Sequence, residues 1–298
     1  MVLIAMLLAL LAALAIDWLA HRANLTPPGF VIREGDEADA WQFMLRRTLA
    51  IIVLTLILWV GVFGPLATLG TATGTDLSGV GIWALFLLHI LFAISLVAWY
   101  FLGFLGFSGR SSFSWKRQFG LETPNLWREI GIGLVAGAGA WAAVLAVLIL
   151  VGIIIVAVGG DEAMPQEPSP LIPWIAGLPI VVRLAVSASA GFFEELFFRG
   201  FLQPRIGIAL STAFFVLAHA NYEQPLMLVG IGLLSVIYGL LVRWRQNIWP
   251  AIVAHALFDA VQLLVVVPIA LRFLEQADGG SWLPVALAPL SIWWRVLC

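Results

Sequence analysis

Long apolar runs dominate the chain, and most polar residues collect between them. The runs lie at about 2–20, 49–70, 80–107, 129–159, 172–203, 206–221, 225–243 and 247–271. The hydrocarbon core of a bilayer is about 30 Å thick and takes ~20 apolar helical residues to cross. Backbone polar groups in lipid must bond within their own segment, so each run is predicted to be helical. The expected fold is all-α: a polytopic membrane protein of about eight transmembrane helices. Several runs exceed the minimum, which predicts tilt or extension beyond the bilayer. The sixth is short. The stretch 281–298 is apolar but carries Pro284 and Pro289, and reads as an interfacial tail or a poor ninth span.

Composition sharpens this picture. Of 298 residues, 62% are hydrophobic and 11% charged, with a mean hydropathy of +1.04. A soluble domain carries roughly 25% charged residues. The net charge of −2 offers no basic excess for nucleic acid, so the lipid bilayer is the expected partner. Cys298 is the single cysteine, which excludes an internal disulfide or a cysteine-based metal cluster.

Basic residues alternate from loop to loop. Arg22, Arg33, Arg46 and Arg47 fill the first, and Arg110, Lys116, Arg117 and Arg128 the third. Arg199 and Arg205 edge the fifth, Arg243 and Arg245 the seventh, and the even loops have none. Odd loops are then cytoplasmic and the N-terminus outside. The opening "MVLIAMLLALLAALA" lacks the positive flank of a signal peptide, so it is expected to stay as a first helix. "SSFSWKRQFGLETPNLWRE", 111–129, has the tryptophans and basic residues of an interfacial helix, though an ordinary loop would serve equally.

Charged and polar residues also enter the spans, where they are costly and tend to mark function. Glu194, Glu195 and Arg199 interrupt "FFEELFFRGFLQ". Glu195 and Arg199 are four apart and share a helical face, while Glu194 points elsewhere. His219 ends "FFVLAHA", and His255 and Asp259 sit one turn apart in "IVAHALFDA". A carboxylate one turn from a histidine can accept from its ring N–H and fix the tautomer. His89, in "LLHIL", reads as structural; Asp17 and Arg183 read as side chains snorkelling to the interface.

These groups are expected to meet. A turn near Ile206 puts Glu194 and His219 at one depth, about 18–20 Å along a helical hairpin at 1.5 Å per residue. His255 follows a turn near Asn247 and lies about 12 Å deep, a difference that tilt or an immersed loop would close. A carboxylate in apolar surroundings makes a competent general base, one histidine can share the activation of water, and another can donate to an oxyanion. Alternatively, Glu194, His219 and His255 hold a divalent metal such as zinc with an open position for water. Both arrangements point to hydrolysis. No GxSxG elbow or cysteine nucleophile is present.

"EELFFR" (194–199), "FVLAH" (215–219) and "HALFD" (255–259) stand in order as EExxxR, FxxxH and HxxxN/D. In this the chain resembles the CPBP intramembrane protease family, also called the type II CAAX prenyl endopeptidase or Abi family. The resemblance implies an eight-helix enzyme with its active site inside the bundle, cleaving peptide bonds of membrane-associated protein or peptide substrates. It implies Glu194 as the base, His219 as its helper, His255 at the oxyanion with Asp259 beside it, and Glu195 with Arg199 as a supporting pair. It leaves open a metal-dependent or a metal-free mechanism. Bacterial members sit in the inner membrane, which is the expected location. Many relatives have asparagine at the last motif position; the aspartate here only accepts hydrogen bonds when ionised, so Asp259 is expected to orient His255 or bind metal.

The expected organisation is an N-terminal set of helices with the interfacial segment (1–130), a catalytic core (131–272) and an apolar tail (273–298). Two other readings stand beside the peptidase. One is a non-catalytic family member, such as a bacteriocin-immunity or scaffolding protein. The other is an ion- or proton-coupled transporter, which the absence of an inverted repeat disfavours.

Overall fold

The computed structural model describes residues 1–32, 40–67, 81–106, 114–159, 171–222, 224–269 and 271. The expected tail at 281–298 lies outside them. The described residues are helical, with no strand among them, and seven helical stretches are long and apolar enough to cross a membrane. The protein is an all-α polytopic membrane protein.

The stretches are α1 (Val2–Arg22), α2 (Ala40–Ala67), α3 (Trp83–Phe104), α4 (Leu126–Gly159), the composite Ile180–Tyr222, α7 (Pro225–Arg245) and α8 (Trp249–Ile269). The composite comprises α5 (Ile180–Glu195), a π-helical turn at Leu196–Leu202, and α6 (Gln203–Ala218). It is not straight. Gly207 takes φ 78°, a left-handed backbone that glycine adopts without the Cβ clash of other residues. The chain reverses there, and the two arms pair antiparallel: Ser211 Oγ donates to the Phe198 carbonyl at 2.9 Å, and the rings of Phe198 and Phe215 meet edge to face. The turn expected near Ile206 is thus one residue on, and the seven stretches make eight arms. Beyond Gly207 the α6 arm, Ile208 to Ala218, rises only about 16 Å, too short to cross on its own.

Two boundaries differ from the hydropathy pattern. The fifth span starts at Ile180 rather than 172, because Pro179 at its N-cap holds an extended backbone (ψ 144°) and separates it from the short helix Leu171–Ala176. The interfacial helix shrinks to one turn, Trp115–Gln118. After it the chain becomes a strap laid on the head of α8, where Gly120 accepts from Ile248 N–H at 2.9 Å and Leu121 from Trp249 Nε1–H at 3.0 Å. Glu122, outside the spans, is held below the usual carboxylate range, chiefly by its bond to Arg117.

Asp17 and Arg183 do not snorkel. Arg47 reaches Asp17 Oδ2 through both Nε (3.0 Å) and Nη2 (2.6 Å), joining α1 to α2. Arg183 Nη1 donates to the Leu263 carbonyl at 2.9 Å, where a π turn over Gln262–Val266 interrupts α8. Each group has taken a polar partner on a neighbouring helix. Arg245 and the buried Glu129 likewise tie the end of α7 to the start of α4.

Aromatic rings fill the half of the core between α2, α3 and the π turn: Phe92, Phe197, Phe198, Phe201 and Trp99 are all buried. The other half is a glycine seam. A Cβ on Gly133 or Gly137 of α4 would meet the backbone of α8 at Pro250 or Ala254, and one on Gly191 of α5 would lie 2.8 Å from both Ile252 O and Ala256 N. Small residues at such seams let membrane helices approach backbone to backbone. Helix α8 is thereby wedged between α4 and α5. Gly191→Ala should force α5 and α8 apart at the turn bearing His255. We expect a loss of about 1–3 kcal/mol in stability, read by thermal unfolding in detergent.

Candidate active site

Glu194 and Glu195 form the last turn of α5, just before the π turn, and both are buried. π turns interrupt helices at functional sites with unusual frequency. Glu195 Oε1 is shared: Arg199 Nη1 donates to it at 2.9 Å from the next turn, and His255 Nδ1 lies 2.9 Å away from α8. The guanidinium also donates through Nη2 to the Ser235 carbonyl on α7 (3.3 Å) and lies 4.3 Å from the centre of the Phe215 ring. Four helical segments are pinned by this one ion pair, the match foreseen for Glu195 and Arg199.

Glu194 faces the other way and is surrounded by imidazoles. His89 Nε2 is 3.5 Å from Oε1; His219 Nε2 is 3.9 Å and His255 Nε2 4.0 Å from Oε2. Oε2 is buried and has no hydrogen-bond partner among the described residues. His219 is also the C-cap of α6, so its backbone ends the helix where its ring is needed.

The far nitrogen of each ring has its own partner, which fixes the proton. His219 Nδ1 lies 2.7 Å from the Phe215 carbonyl, which can only accept, so Nδ1 carries hydrogen. His255 Nδ1 donates to the Glu195 carboxylate. Ser189 Oγ gives its one hydrogen to the Val186 carbonyl (3.0 Å) and so accepts from His89 Nδ1 at 3.0 Å. All three rings are Nδ1–H tautomers or doubly protonated, and all three present Nε2 to Glu194. Such partners on the far nitrogen orient histidines that do chemistry on the near one.

Asp259 neighbours the His255 ring as expected, but at its Nε2 edge. Its Oδ2 is 3.5 Å from His255 Nε2, on the reactive side of the ring. Glu195, not Asp259, holds Nδ1 and sets the tautomer. A carboxylate one turn along α8 reaches only the near edge of the ring, because the far edge points into α5. His89, expected to be structural, lines the site; nothing within one turn of it in α3 marks it, and its partners come from α5.

Glu194, the three histidines and Asp259 line a cavity of about 280 Å³. Its other walls are mostly apolar, among them Leu85, Met227, Ile231, Phe258 and Leu263, with Gln262 and two tyrosines between them. Tyr222 stacks on His219 and Tyr238 on His255. The turn after His219 lies level with the site, where irregular backbone is tolerated in a membrane protein because it lines a cavity. Among the described residues, no group of three His, Cys, Asp or Glu side chains is placed to hold a metal ion.

The model of the family described as type II CAAX prenyl endopeptidase Rce1-like matches residues 176–261. Over these residues the chain is similar to that family. The Rce1-like segment runs from the foot of α5 into α8 and includes Glu194, Glu195, Arg199, His219, His255 and Asp259; His89 falls outside it. The uncharacterized protein YpbD of Bacillus subtilis (strain 168) is 34% identical over 71 residues. That stretch is 24% of this chain and 38% of the relative, so the chain spans well under half of that relative's length. No solved structure matches.

Proposed function

We propose that the protein is an intramembrane endopeptidase that hydrolyses peptide bonds of membrane-associated substrates through a water held by Glu194 and His219. The observation that carries the reading is Glu194 Oε2: a buried carboxylate oxygen with no partner, about 4 Å from two imidazole nitrogens. Two acceptors flanking a water, each ~2.8 Å from it, stand about 4 Å or more apart. Two zinc ligands at ~2.1 Å stand about 3.4 Å apart around a tetrahedral ion. The spacing suits water and is wide for a metal held by Glu194, His219 and His255, so no step is drawn through an ion.

In the proposed reaction, Glu194 Oε2 takes a proton from the water while His219 Nε2 holds it. The resulting hydroxide attacks the peptide carbonyl carbon, and the oxyanion forms towards His255. Glu195 at Nδ1 and Asp259 beside Nε2 compensate the charge of an imidazolium that donates from Nε2. Collapse of the tetrahedral species breaks the C–N bond, and the amine leaves with the proton from Glu194. We infer the orientation expected from the basic loops, with the N-terminus outside a bacterial inner membrane.

The test is cleavage of an internally quenched prenylated peptide by the protein in liposomes, run in ¹⁸O-labelled water with metal content measured on the same preparation. The expected result is one label in the new carboxylate, loss of about 10²-fold or more in His219→Ala, and activity without stoichiometric metal. Zinc at one per chain, lost in His219→Ala/His255→Ala, would overturn the metal-free mechanism. Uncleaved peptide would favour a non-catalytic family member, and ion flux across the liposomes a transporter.

A further inference from the structure

The two oxygens of Glu194 are not equivalent. Oε2 faces His219 and His255 and has no hydrogen-bond partner among the described residues; Oε1 faces His89 at 3.5 Å. His89 comes from α3, outside the Rce1-like segment, and is itself buried within the cavity wall. Its ring is fixed at the far edge by Ser189 and lies parallel to Phe193, with 18° between the planes. Ser189 is five positions before Glu194 on the same helix, so the carboxylate and the clamp on its neighbour move together.

We propose that His89 is a positioning residue of the hydrolytic site: with both ring nitrogens protonated, it donates from Nε2 to Oε1 of Glu194 and thereby selects Oε2 as the oxygen that takes the water's proton. This rests on the reading of Glu194 as the base. A glutamate carboxylate free about its side-chain torsions would swing towards any of three imidazoles. With Oε1 held from α3, the remaining oxygen points at the gap between His219 and His255. The N-terminal helices therefore complete the site: α3 contributes a side chain that sets its geometry.

Two measurements test this, one of which needs no substrate. The chain has four histidines, so ¹⁵N-histidine labelling in detergent gives few ring signals. The His89 Nε2 resonance, assigned by its loss in His89→Gln, should move in Glu194→Gln, while His21 stays put. A His89 signal indifferent to Glu194→Gln would overturn the proposal. In kinetics on the quenched prenylated peptide, His89→Ala should lower kcat by about 10- to 100-fold with KM little changed. His89→Gln, whose amide reaches the same place, should recover part of it, and Ser189→Ala should cost less. A wild-type kcat in His89→Ala, where Glu194→Gln is dead, would refute the positioning role and leave the base intact. Hydrolysis indifferent to Glu194→Gln would overturn both. Thermal unfolding of each variant separates lost positioning from lost folding.

Discussion

Glu194→Gln should abolish hydrolysis while leaving the fold at least as stable. A general base contributes typically 10²- to 10⁴-fold, and the amide cannot take a proton, so kcat should fall by about 10³-fold or more. Stability should move the other way or not at all. Glu194 Oε2 is buried without a partner, and a buried polar group left unsatisfied costs about 1–3 kcal/mol, more when charged. The neutral isostere removes the charge and keeps the shape. Thermal unfolding in detergent, beside the peptide assay, reads both. An inactive variant that melts at or above the wild type is expected; one that melts far below would mean that the carboxylate serves the packing.

Arg199→Ala should show the opposite profile. It strips the fully buried Glu195 of its guanidinium and leaves it the His255 ring alone among the described partners, and breaking a buried pair from one side costs about 3–5 kcal/mol. Activity should fall too, because Glu195 Oε1 also fixes the His255 ring. Arg199→Met with Glu195→Gln removes both charges and should regain much of the stability but little activity, since the glutamine cannot counter an imidazolium. Unfolding midpoints of the single and double variants give the coupling directly.

Much of this was legible in the residue order. The spans follow from hydropathy because lipid leaves the backbone no other choice. Residue counting from the turn predicts Glu194 and His219 at one depth, and they lie 3.9 Å apart. The same counting makes His255 shallower than its partners. The structure brings it level because the turn before α8 is itself buried: Asn247 is 4% and Ile248 1% exposed, tucked under the strap at Gly120. His89 was illegible for a different reason. Pattern reports which face of a helix is polar, but one histidine in "LLHIL" does not tell α3 which helix it will meet. The exchange of roles between Glu195 and Asp259 was hidden likewise, since sequence spacing marks neighbours along a helix and says nothing of those across it.

The glycine seam bears on which side of the cavity can move. Where Gly133, Gly137 and Gly191 bring α4 and α5 against the backbone of α8, little space is left to yield, and a shift there would displace His255 and Glu194 together. The opposite side of the cavity is built otherwise. There α3 and α7 contribute Leu85, Met227 and Ile231 and share at most marginal contact among the described residues. Flexible aliphatic chains can change rotamer without moving a helix axis. The bundle thus has an unyielding wall that carries Glu194 and His255, and a compliant one across the cavity from it.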